Sequence, residues 1–167
     1  MSYTKQVFIS GSKEVPSYEK NISICLQADG YSFSIISVKD ELLAYGAVPF
    51  EGTMSMSEAI AMVRRVWEEH QVVPIGYNSM ELIIPSEHCA MVPDELYQPG
   101  NDRRYLEPLM KIPMGLGVFS CHNEAAGAQV IFTGENNWVS AFKIAMPGIK
   151  VKSQYNKLVN AELMKRS

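Results

Sequence analysis

The sequence predicts a mixed α/β fold: a mixed sheet that begins as a β-hairpin meander and carries packed helices. Three observations lead there. Apolar and polar residues alternate on both sides of an Asp-Gly turn near residue 29, a capped helical period follows Ser55, and strand and helix patterns return beyond residue 110.

The first strand is expected at 22–28, where Ile22, Ile24 and Leu26 alternate with Ser23, Cys25 and Gln27. A period of two puts one set on the core face and the other away from it. Asp29-Gly30 is read as the tight turn, since both central positions of the favoured two-residue hairpin turn need positive φ. The return strand carries Tyr31, Phe33 and Ile35 on one face and Ser32 and Ser34 on the other. A third strand is expected at 42–50, ended by Pro49 and Gly52.

Ser55-Met56-Ser57-Glu58 then fits a capping box, with the serine hydroxyl accepting from an early helical N–H and the glutamate reaching back. A helix at 57–70 should turn Ile60, Val63 and Trp67 to one side and stop before Pro74. "MELIIP" at 80–85 reads as an inner strand. The Pro-rich charged stretch at 91–109 reads as a loop with one helical turn. A strand pair is expected at 116–121 and 129–132, and a helix at 136–146 with Val139, Phe142 and Met146 inward. A short strand at 149–152 and a last helix close the chain. That last helix carries Tyr155, Leu158, Val159 and Leu163 as an apolar stripe interrupted by Glu162.

A chain of 167 residues is one domain's worth; residues 1–20 are expected as a polar, flexible arm and 21–167 as a single domain. The hydrophobic fraction of 47% and charged fraction of 20% are those of a globular protein rather than a disordered one. Net charge is −3 and the basic residues are scattered, which argues against nucleic acid as a partner. No apolar run reaches the ~18 residues of a membrane span, and the N-terminus lacks the apolar core of a signal peptide. Three unevenly spaced cysteines argue for a reducing compartment, so the expected location is the cytoplasm.

The hairpin is the first candidate for chemistry. A phosphate-cradling hairpin needs tip amides free to face the anion and an aspartate to organise the metal's waters, in the order Asp-x-Gly and then Ser or Thr. Here the order is Asp29-Gly30-Tyr31-Ser32. The glycine comes one position early, and Tyr31 is expected to stand where a phosphate would approach. A two-residue turn also pairs its flanking amides within the hairpin. The hairpin therefore reads as structural, with Asp29, Gly30 and Ser32 as a degenerate ATP/Mg site and Ser34 beside them.

The other motifs carry less. Gly115-Leu116-Gly117 precedes a strand, so no helix N-terminus aims its amides at an anion. His88-Cys89 and Cys121-His122 lack the spacing of zinc ligands, even with Cys25 as a third; no metal is expected. Neighbours on a strand face opposite ways, so His122 is badly placed to activate Cys121. The charged residues Asp94, Glu95, Asp102, Arg103 and Arg104 read as solvated loop, and the methionines as core filling.

"ISICLQADGYSFSIIS", the strand 80–85, "MVPDELY" and the tail "GIKVKSQYNKLVNAEL" together resemble the DUF3822 family, found in Bacteroidetes. The resemblance runs from about residue 20 to about residue 165. It implies an actin-like, ribonuclease-H-type fold of two related halves with no established activity. This chain is then expected to hold the first half only and to lack a second lobe. A nucleotide site of the actin kind lies between halves, so the chain alone would hold half of one. The expected function is a non-catalytic binding or scaffold module that docks a protein partner, a second lobe or another copy through Tyr155, Leu158, Val159 and Leu163. The alternative is a nucleotide-binding protein, an ATPase or phosphotransfer enzyme.

Overall fold

Backbone pairing along the chain begins earlier than the sequence pattern suggests. The structure, a computed structural model, describes residues 6–9, 15–27, 29–50, 55–69, 76–86 and 88–156. Gln6–Ile9 form β1, inside the segment expected as an arm, because β4 (Leu42–Pro49) offers a free edge and pairs with them antiparallel, Gln6 opposite Ala47. A strand of four residues in polar surroundings has no periodicity to announce it.

The chain divides into two compact units, one of residues Met1–Leu82 with Ser140–Lys150, the other of Ile83–Val139 with Val151–Ser167. The first unit is built on β2 (Lys20–Gln27), β3 (Gly30–Ser37) and β4. Across these strands Ile22, Ile35 and Ala44 form one row, Ile24, Phe33 and Gly46 a second, and Leu26, Tyr31 and Val48 a third. All share one face of the pleat, and all but Leu26 are buried. The opposite face carries Ser23, Ser34 and Tyr45, then Cys25, Ser32 and Ala47. A turn joins β3 to β4. There the Ser37 hydroxyl accepts from the amides of Lys39 (3.2 Å) and Glu41 (3.1 Å), and Asp40 adopts φ 64°.

Helix α1 (Met56–Glu69) starts on the expected capping box. The Glu58 amide donates to the Ser55 hydroxyl at 3.3 Å and the Ser55 amide to the Glu58 carboxylate at 2.8 Å. Val63 and Trp67 are buried. With Ile60 they face Ala141, Phe142 and Ala145 of α3 (Asn136–Ala145). The six-stranded sheet has the order β1-β4-β3-β2-β5-β9, where β5 is Ser79–Ile84 and β9 is Lys150–Ser153.

The second unit takes the chain from the end of β5 to the first turn of α3, and again from Val151 on. Its antiparallel sheet has the order β6-β8-β7, with β6 Cys89–Pro93, β7 Leu116–Asn123 and β8 Ala128–Glu135. Strand β6 runs into the segment read as loop, over 91–93; within the strand only Ala90 and Val92 point inward, too few for a visible period. They pack with Leu106 of the short helix α2 (Asp102–Leu106) and with Ile131, ringed by Tyr97, Tyr105, Ile112 and Val118. Asn123, 1% exposed, donates to Asn156 Oδ1 at 2.9 Å and accepts from the Ala126 amide at 3.0 Å, so one buried amide ties the β7–β8 turn to residue 156. Residues 154–156 are helical. Leu158, Val159, Glu162 and Leu163 of the expected last helix lie outside the described residues.

The capping box makes α1 pH-sensitive. The bonds from the Ser55 backbone and side chain hold the Glu58 carboxyl below its ordinary value of 4.5. A depressed pKa contributes stability above 4.5 that is lost as pH falls through the lower, folded value. Thermal melts of wild type and Glu58→Gln should differ most near neutral pH, wild type melting higher, and converge in acid. A gap that does not change with pH would remove Glu58 ionisation from the account.

Candidate functional site

The ladder of the hairpin closes at Gln27 opposite Gly30, with Asp29 in the turn. Ala28 lies outside the described residues. Gly30 is thus the first residue of β3, and it does not adopt positive φ. The expectation that the turn's geometry requires a glycine there is corrected by what lies beside it. A Cβ on Gly30 would stand 2.5 Å from the Val48 carbonyl oxygen and 2.9 Å from Pro49 Cα. Gly30 is glycine because β4 passes against its α-carbon.

Asp29 is exposed at the tip, and its carbonyl accepts from the Phe50 amide at 2.8 Å. The segment leaving β4 is therefore hydrogen-bonded to the turn. Ser32 sits three residues further on, about 10 Å along an extended chain. It is half-buried between Cys25 and Ala47. Ser34 lies deeper, between Ser23 and Tyr45, and the Ser23 hydroxyl donates to Glu81 at 2.7 Å. Asp29, at the tip, and the serines, on one face of the sheet, do not form a cluster.

Tyr31 corrects a second expectation. Its ring does not obstruct the tip. It lies in the core, 2% exposed, with ring centroids 6.5 Å from Phe33 and 6.2 Å from Phe50. Burial pushes the phenol pKa far up, and among the described residues its hydroxyl has no hydrogen-bond partner. The Trp67 indole N–H is orphaned in the same way.

In the second unit, Cys121 and His122 do face opposite ways. Cys121 shares a face of the sheet with Val130, while His122, opposite Gln129, bonds through Nε2 to Asp94 Oδ2 at 2.9 Å. Both partners are exposed, 43% and 45%, so the pair contributes little to stability. Burial, and secondarily the nearby Cys121, raises the Cys89 thiol's pKa, the wrong direction for a nucleophile. His88 is exposed, and among the described residues no three His, Cys, Asp or Glu side chains gather as metal ligands. Gly115, at φ 89°, makes the turn into β7, and its carbonyl accepts from the Asn136 amide at 3.3 Å.

The charged loop is ordered by its own bonds. The Tyr97 hydroxyl donates to Asp102 at 2.6 Å, which with burial raises that phenol's pKa. Tyr105 donates to the Leu96 carbonyl at 3.2 Å, and Arg103 pairs with Glu107 at 3.2 Å. The His122–Asp94 and Tyr97–Asp102 contacts had no signal in the sequence. The first joins residues 28 apart, and only the β6-β8-β7 pairing brings them together. Of the expected docking stripe, Tyr155 is described and half-buried.

Two substitutions separate packing from binding at the hairpin. Gly30→Ala forces a methyl against backbone that cannot swing aside, and should cost about 1–3 kcal/mol in urea unfolding. Tyr31→Phe removes a buried, unpartnered hydroxyl and should leave stability unchanged or raise it by up to about 1 kcal/mol. A neutral Gly30→Ala, or a Tyr31→Phe that loses stability, would contradict this geometry.

Comparison with known proteins bears on the fold. A crystal structure from Bacteroides thetaiotaomicron, described as a protein with actin-like ATPase fold and unknown function, matches with TM-score 0.73 at 20% sequence identity. The match covers 89% of this chain and 57% of that one, so this chain spans little more than half the length of its neighbour. At that identity the likeness establishes the actin-like fold and not an activity. No curated protein matches the sequence. The family described as "Protein of unknown function (DUF3822)" matches residues 13–167, nearly the whole chain, and the protein belongs to that family.

Proposed function

We propose that this chain is a non-catalytic docking module of degenerate actin-like fold, working in the cytoplasm of a bacterium. One observation carries the non-catalytic half of the reading: the backbone at the hairpin tip is used for packing. Gly30 is pressed on the Val48 carbonyl and the Asp29 carbonyl is taken by the Phe50 amide. An anion cradle binds through free N–H groups, and the Phe50 amide beside the tip is spent on the Asp29 carbonyl. The cytoplasmic placement rests on three unevenly spaced cysteines, a number and spacing that argue against a disulfide framework. Among the described residues, no helix is long and apolar enough to cross a membrane.

The docking half rests on the sequence. Tyr155, Leu158, Val159 and Leu163 recur at helical spacing. The partner is a protein surface: a second lobe, another chain, or a second copy. A second reading is supported by the exposure of Asp29 at the tip and by the fold named for the neighbour. In it Asp29, Gly30 and Ser32 hold Mg-ATP, and Asp29→Ala abolishes binding.

Leu158→Asp tests the docking surface. Light scattering coupled to gel filtration should find wild type self-associated or aggregating and the variant as a folded 18.7 kDa monomer. An oligomeric state unaltered by the charge would remove the stripe as the contact.

A further inference from the structure

We draw no further inference here: the strongest candidate, the His122–Asp94 pair beside the Tyr97–Asp102 bond on the second unit, is open to solvent on both sides, and no third metal-ligating side chain joins it among the described residues, so nothing in the structure shows what it would bind.

Discussion

Phe33 and Gly46 face each other across β3 and β4, and the ring of one occupies the space where the other would carry a side chain. Phe33 is 1% exposed, and burying such a side chain contributes about 1.5–3 kcal/mol. That contact fixes register. Slipping β4 by one residue would turn Gly46 away and drive Ala47 or Tyr45 at the ring, while exposing Ala44 and Val48. With the register fixed, Pro49 falls opposite Gly30, and the hairpin tip is set against the end of β4.

The same constraint limits what the tip can do. Side chains that chemistry would recruit alternate with those the core needs, so Tyr31 goes inward, Ser32 goes to the other face, and Asp29 alone stays at the end. A phosphate site asks for several backbone amides converging with a carboxylate. Here the strand edges have used theirs in the ladder and in the bond from Phe50 to Asp29. The fold is actin-like, and at the hairpin Gly30 and the Asp29 carbonyl are engaged with the end of β4.

Much of the first unit was legible because its elements announce themselves locally. The alternation of Ile22, Ile24, Tyr31, Phe33 and Ile35 gave the hairpin, and Ser55 with Glu58 gave the start of α1. What escaped depends on partners distant in sequence. β1 is a strand because β4 has an edge to offer. β6 is one because β8 does, and two inward residues cannot show a period. The role of Gly30 was misread for the same reason. Asp-Gly is a turn signal in sequence, but the close approach of Val48 and Pro49 is visible only once β4 is in place. Tyr31 was placed at the tip by proximity in sequence, although its alternation with Phe33 already assigned it to the core face.

On the proposed reading the hairpin is structural and the chain binds no nucleotide. A native mass spectrum of the intact chain, with and without Mg-ATP, tests it most directly because it reports subunit number and bound ligand together. The same assembly is expected in both spectra, with no nucleotide adduct. A nucleotide adduct that survives dilution in wild type and is absent in Asp29→Ala would contradict it, and would make the exposed aspartate at the tip a ligand-binding residue.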